Sequence, residues 1–223
     1  MSAEPFLGYG ELAAEAYRQR ALGRLVALLP PGRGRRVLDL GCGEGYEAAH
    51  LAGLGWKVDA IDLEPRATWP ALAAQHKGRL RFRQGDAESL VGLKGGYDLV
   101  LQKDMLHHAS HPAKALAEMA RLCRPGGRVL VMEANRLNPI FYLRLTLLEG
   151  HQHFTRWRLR ALLRQAGMGE ASMQILEARV WPVNREPWQR FFSRMQDLLE
   201  RIPLYQHIVC YHLAVWDKPS RNS

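Results

Sequence analysis

Val37-Leu38-Asp39-Leu40-Gly41-Cys42-Gly43-Glu44-Gly45 is the stretch on which the fold turns. Val37 to Leu40 is a short apolar run of the kind that forms a strand buried on both faces, and it breaks into glycines at alternate positions. A glycine has no Cβ, so the backbone here can pass very close to a bound ligand. The segment that follows, through Leu54, reads as a helix whose free N–H groups point at the same place.

Outward from that turn, the strand and helix signals alternate. Trp56 to Leu63 reads as a second strand, Ala67–His76 as a helix and Leu80–Gln84 as a third strand. Tyr97–Gln102 is the fourth strand and Pro112–Cys123 a helix ended by Pro125-Gly126-Gly127. Arg128–Glu133 is the fifth strand, and Pro139–Leu148 and Thr155–Ala166 are helical. The tail offers a strand near Met173–Val180, a helix at Pro187–Arg201 and a last strand at Ile208–Trp216. Upstream, Glu11–Leu29 is a helix stopped by Pro30-Pro31-Gly32. This alternation predicts an α/β fold, a Rossmann-like, mostly parallel seven-stranded sheet with helices on both faces. Such a sheet takes its ligand beyond the carboxyl ends of the strands, where the strand order reverses.

The chain has 223 residues, enough for one α/β domain and too few for two of ordinary size. We divide it into an N-terminal helical cap (1–32), a ligand-binding core (33–133), acceptor-side helices (134–169) and C-terminal strands and helix (170–223). No run reaches the ~18 apolar residues of a membrane span. Met1 to Gly10 has neither a basic nor an apolar signal region, so we expect a cytoplasmic protein. Cys42, Cys123 and Cys210 are odd in number and widely spaced, which argues against disulfides and zinc. His107, His108 and His111 have no carboxylate or cysteine at a familiar ligand spacing, so we expect no metal.

The net charge of +9 is concentrated. Residues 121–165 carry nine basic and two acidic side chains, whereas residues 1–120 carry 15 and 14. An arginine-rich genome would spread the excess more evenly.

Two acids follow the glycine turn at consecutive strand ends. Asp62 ends the second strand, where a carboxylate can accept both hydroxyls of a ribose. Asp86 follows the third, where it can accept from an adenine amino group. Each alone reads as a turn residue or a helix cap, but together with the glycines they would line one crevice. A dinucleotide is the rival ligand. Its fingerprint wants glycine or alanine where Tyr46 stands, which lowers that case.

These motifs resemble those of class I S-adenosylmethionine-dependent methyltransferases. Val37 to Gly45 is similar to the first motif, Ala60-Ile61-Asp62 and Gly85-Asp86-Ala87-Glu88 to the second and third. Tyr97-Asp98-Leu99-Val100, His107-His108 and Leu122-Cys123-Arg124-Pro125-Gly126-Gly127-Arg128-Val129-Leu130 are similar to the later ones. The group it looks most like is the small-molecule, type 11 branch that includes ubiquinone and menaquinone C-methyltransferases. The resemblance runs from Val37 to Glu133 and thins out beyond. It implies S-adenosyl-L-methionine as cofactor and S-adenosyl-L-homocysteine as product. It implies that Gly41, Cys42 and Gly43 line the methionine moiety, with Asp39 steadying the turn and reaching the ammonium through water. Asp62 would hold the ribose, Leu63 the adenine face, and Asp86 with the Ala87 N–H the adenine edge. Gln102 would sit beside the methionine and the acceptor.

The cofactor carries the hard chemistry, and the protein must place an acceptor in line with the methyl group. A general base is optional. His107 and His108 follow the fourth strand and are candidates; they also read as residues that start the Pro112 helix. Glu133, at the end of the fifth strand, is a third candidate, and pairing with a neighbouring arginine is its alternative.

Past Glu133 local chemistry has to speak. Pro139–Leu148 is rich in leucine and aromatic residues, and Phe154–Arg164 adds Trp157 with Arg156, Arg158, Arg160 and Arg164. An apolar wall beside a basic cluster suits a small amphipathic or anionic acceptor, or peripheral contact with an anionic membrane. The plain alternative is apolar core with arginines reaching water. An RNA methyltransferase using residues 121–165 ranks lower, because no nucleic-acid module is visible and Gln102-Lys103-Asp104-Met105 replaces the Asp/Asn-Pro-Pro-aromatic signature. A non-catalytic cofactor-binding protein ranks lower still, since no motif is damaged. Phe6, Tyr9 and Tyr17 read as ordinary packing rather than an N-terminal lid.

Overall fold

The computed structural model describes residues 11–29, 34–148, 150, 153–179 and 185–220. Phe6, Tyr9, Pro30-Pro31-Gly32 and Val180 lie outside the described residues. The strands are β1 (Arg36–Leu40), β2 (Lys57–Asp62), β3 (Leu80–Gln84), β4 (Tyr97–Lys103), β5 (Cys123–Ala134), β6 (Ser172–Leu176) and β7 (Tyr211–Asp217). The helices are α1 (Glu11–Ala27), α2 (Tyr46–Gly53), α3 (Trp69–Gln75), α4 (Pro112–Leu122), α5 (Pro139–Phe141), α6 (Arg156–Gln165) and α7 (Glu186–Leu199).

All seven strands share one sheet in the order β3-β2-β1-β4-β5-β7-β6. β1 to β5 run parallel, β7 is antiparallel to β5, and β6 is antiparallel to β7. The chain winds outward from β1 to β3, then restarts at β4 on the other side of β1, so the switch point lies between β1 and β4. Helices cover both faces because the central strands are apolar on both. Val37 and Leu99 enter the core on one face with Trp56 and Leu101, and Leu38, Leu40 and Val100 enter the other with Leu116 and Met119. In α4 the buried residues Ala115, Leu116, Met119 and Leu122 recur at helical spacing, which fixes the face it lays on the sheet.

The observed elements depart from the expected ones in four places, two of them in the tail, where β6 ends at Leu176 and β7 begins at Tyr211 rather than Ile208. β5 begins at Cys123 rather than Arg128, because pairing with β4 resumes across Pro125-Gly126-Gly127 through a register shift between Tyr97 and Leu99. The Pro139–Leu148 helix is α-helical only to Phe141 and is wound as a π-helix from Tyr142 to Leu148. Asn138 starts it, accepting at Oδ1 from Phe141 N (3.1 Å) and at its carbonyl from Tyr142 N (2.8 Å).

Candidate functional site

A cavity of about 490 Å³ opens above the carboxyl ends of β1, β2 and β3. Gly41, Gly43, Asp62, Leu63, Asp86 and Ala87 all line it, with Asp104, Met105 and His108 on the β4 side. The two strand-end acids thus face one shared hollow. Gly43 has φ +49°, and a Cβ added there would meet no atom of the chain within 4 Å. Its bare face is open to the cavity, as a closely bound ligand needs. Gly41, at φ +71°, is bare for a different reason: a Cβ would collide with the Met105 side chain.

Asp62 is held by two backbone donors. Gly43 N donates to Oδ2 (2.8 Å) and Glu64 N to Oδ1 (3.1 Å), which fixes the carboxylate plane while leaving lone pairs for hydroxyl donors. Asp86 is braced the same way, by Glu88 N on Oδ1 (2.8 Å). Leu63 is 64% exposed, as an apolar lid over a flat ring would be before the ring arrives.

Three of the expected cofactor residues do not form the cavity wall. The Cys42 thiol is buried in the core, and burial pushes it well above the usual thiol range, so it is chemically inert. Gln102 is fully buried; its Oε1 accepts from Met105 N (3.0 Å) and its amide reaches Met132 O (3.5 Å), so it braces the turn after β4. Asp39 is 3% exposed, and its Oδ2 is buried with no hydrogen-bond partner among the described residues. Burial, reinforced by Glu47, pushes its carboxyl up to about 8 against the pull of Lys103. A buried carboxyl oxygen with no donor beneath the glycine turn fits a cationic group placed there. The orphaned oxygen and the bare Gly43 therefore match what an ammonium-bearing, ribose-bearing cofactor requires.

Lys103 and Glu47 are residues the sequence did not single out. Lys103 Nζ lies 3.2 Å from Glu47 and 3.5 Å from Asp104. Burial acts to lower the Lys103 pKa, but Tyr17, Glu47 and Asp104 outweigh it and raise it well above the usual lysine value. Tyr17 is packed rather than lid-like, with its hydroxyl 2.8 Å from that of Tyr211.

The three catalytic candidates are brought together. Leu106–His108 forms a single 3-10 turn after β4, and His107 Nδ1 lies 3.0 Å from Glu133 Oε2. Glu133 pairs with His107 and with Leu106 N (2.7 Å), not with an arginine. Its side chain is fully buried and that of His107 is 5% exposed. Burial raises Glu133, with His107 opposing; burial lowers His107, but the Glu133 bond and charge win and its pKa is raised. His107 also packs against His108 (4.0 Å between ring centroids) and His153 (4.4 Å). Donor atoms of His107, Glu133 and His153 lie within 4.8 Å of one another, close enough to share a proton network or an ion. Reasoning from spacing found no carboxylate near His107, because Glu133 and His153 arrive from β5 and from the loop before α6.

α6 sends Leu159, Leu162 and Leu163 into the core and exposes Arg158, Arg160 and Arg164 to solvent. Trp157 on the same helix is exposed as well. Among the described residues no helix is long and apolar enough to cross a membrane.

The Methyltransferase domain family matches residues 14–170. Among proteins of known activity, the ubiquinone biosynthesis O-methyltransferase of Aeromonas salmonicida is 37% identical over 117 residues, covering 51% of this chain and 49% of that one. The ubiquinone biosynthesis O-methyltransferase of Maricaulis maris is 30% identical over 153 residues, covering 62% and 60%. The chain thus matches about half to three fifths of the length of these relatives. Among solved structures, phosphoethanolamine N-methyltransferase 2 of Haemonchus contortus, in complex with S-adenosyl-L-methionine, superposes with a TM-score of 0.66 at 19% identity, covering 89% of this chain and 52% of that one. An S-adenosylmethionine-dependent methyltransferase from Mesorhizobium loti gives 0.66 at 19% identity, covering 92% and 100%. These superpositions establish the shared fold. The chain belongs to the methyltransferase-domain family, within the class I S-adenosylmethionine-dependent methyltransferases.

Proposed function

We propose that this protein moves the methyl group of S-adenosylmethionine to a hydroxyl oxygen of a small, amphipathic aromatic acceptor, with His107 as the general base. The observation that carries this reading is the buried His107–Glu133 pair at the carboxyl ends of β4 and β5, next in the chain to His108 on the cavity wall. Support for oxygen comes from the relatives in ubiquinone biosynthesis, which are O-methyltransferases.

In this reading Asp62 accepts the ribose hydroxyls, Asp86 and the Ala87 N–H read the adenine edge, Leu63 covers the ring, and Asp39 lies under the ammonium. Gly41, Cys42 and Gly43 contribute backbone rather than side chains. When bound, the cofactor supplies an electrophilic methyl on a sulfonium and departs as the neutral thioether. The chain's own work is positioning and proton removal. Glu133 accepts from His107 Nδ1–H, which selects the tautomer whose Nε2 carries a lone pair. That nitrogen would take the hydroxyl proton of an acceptor receiving the methyl group that the bound cofactor supplies. The resulting imidazolium is stabilised by the Glu133 carboxylate. His108, on the cavity wall, flanks the acceptor.

The test is release of S-adenosylhomocysteine with a panel of phenols, catechols and amines. Turnover is expected with a hydroxyl acceptor, and His107→Asn should lower kcat by about 10²–10⁴-fold with cofactor affinity unchanged. Turnover with amines alone, or a His107→Asn enzyme of unaltered kcat, would refute the reading.

A further inference from the structure

α7 is amphipathic in the reverse sense. It buries Gln189 and Gln196, the latter donating from Nε2 to Arg179 O at 2.8 Å. Phe192 and Leu199 are half-buried, but three other apolar side chains point outward: Trp188 is 52% exposed, Phe191 54% and Leu198 61%. With half-buried Met195 and with Ile202 beyond the helix end, they recur at alternating spacings of three and four residues, which makes one stripe along the helix. Trp188 and Phe191 already stack edge to face, with centroids 6.0 Å apart. Leu204, in the turn that follows, is 83% exposed and extends the stripe.

The charges are sorted by the same helix. Both acids pair with α1: Asp197, itself exposed, and the mostly buried Glu200 bond to Arg20 at 2.7 and 2.9 Å, and Glu200 also to Arg24 at 3.0 Å. Arg185, Arg194 and Arg201 are exposed and make no ion pair among the described residues, and Arg190 has only an exposed partner in Glu186 at 3.5 Å. What α7 presents to solvent is therefore an aromatic and aliphatic ridge with a basic rim. An exposed Trp and Phe ridge on an otherwise soluble domain needs a partner. A second copy would bring the same basic rim against this one, on a chain of net charge +9. An anionic bilayer complements both features, taking the ridge into its interface and the arginines onto its headgroups.

We infer that the outer face of α7, continued by Ile202 and Leu204, docks this protein onto an anionic membrane surface. The surface lies outside the cavity and the His107–Glu133 pair, and it stands independently of which atom is methylated. α7 and its following turn lead back to the carboxyl edge of the sheet, where Asn138 Nδ2 holds Ile208 O at 2.8 Å. The cavity opens on the same carboxyl edge, over β1 to β4.

The experiment is co-sedimentation of the full chain with phosphatidylcholine vesicles, with and without about one third phosphatidylglycerol. Partition is expected only onto the anionic vesicles and should weaken with salt. Trp188→Gln with Phe191→Gln should reduce it at least roughly tenfold, and Arg190→Gln with Arg194→Gln by about fivefold per arginine. Both double variants should keep the wild-type circular dichroism, Tm and S-adenosylmethionine affinity, which separates a lost surface from a lost fold. Wild-type protein that stays in the supernatant, or a Trp188/Phe191 variant that binds like wild type, would overturn the inference. So would a wild-type dimer in sedimentation velocity that the same variant converts to monomer, since the ridge would then be a chain–chain interface.

Discussion

At the scale of single residues, Asp39 and Gly43 carry opposite halves of the cofactor fit proposed above. The Asp39 carboxyl titrates near 8 because it is buried beside Glu47. Its folded-state pKa lies above that of the unfolded chain, so the protonated form stabilises the fold at low pH. That contribution fades as pH rises from the unfolded value of about 4 through about 8. Asp39→Asn is therefore expected to raise Tm at pH 8, by roughly 2–4 °C for each ~1 kcal/mol of relieved burial, and to change it little at pH 4; thermal scans at both pH values check this. The same variant should weaken S-adenosylmethionine, since the amide, unlike the carboxyl, cannot ionise opposite an ammonium. For Gly43→Ala, the positive φ costs about 1–2 kcal/mol of stability, and the new methyl enters the cavity rather than the core. A folded protein with at least tenfold weaker cofactor binding by calorimetry is the expected outcome.

Elements matter where two of them have to meet. The 3-10 turn after β4 and the last residues of β5 bring His107 and Glu133 within a hydrogen bond, though they are 26 residues apart. Because Glu133 raises the His107 pKa, the neutral base is formed only above the ordinary imidazole range, and kcat/KM should rise with pH through that raised value. Glu133→Gln keeps an acceptor for Nδ1–H but removes the charge. The rising limb of the profile should then move to lower pH; an unmoved limb would mean that another group sets it. The sequence showed these elements and both residues, yet not their pairing. Strand residues of β4 and β5 meet by register, and the register shift opposite Tyr97 and Leu99 falls between Cys123 and Arg128 on β5, upstream of Glu133. α6 and the π-helix after β5 were harder to read. Their apolar residues look alike in sequence, but Leu159 and Leu162 are core while Leu147 and Leu148 are 58% and 77% exposed.

The whole molecule is closed by contacts between its two ends. Arg20 of α1 bonds Glu177 O, Asp197 and Glu200, which lie 157 to 180 residues away, and its side chain is only 16% exposed. Removing it leaves Glu200, 12% exposed, with Arg24 and the Glu177 N–H. Arg20→Ala should cost about 2–3 kcal/mol, the scale of breaking a mostly buried ion pair, and chemical denaturation would measure it.

What the sequence determined by itself is the βα rhythm, the glycine turn and the two strand-end acids, because strand burial, chain reversal and loss of Cβ are local properties of the residues concerned. They were enough to place Asp62 and Asp86 over one hollow. Tertiary structure alone decided which side chains of the motifs face inward, as with Cys42 and Gln102, and which distant residues complete the site, as with Glu133, His153 and Lys103. It also decided that α7 turns its apolar stripe to solvent, since a helical pattern records that a face exists and only packing records which way it points.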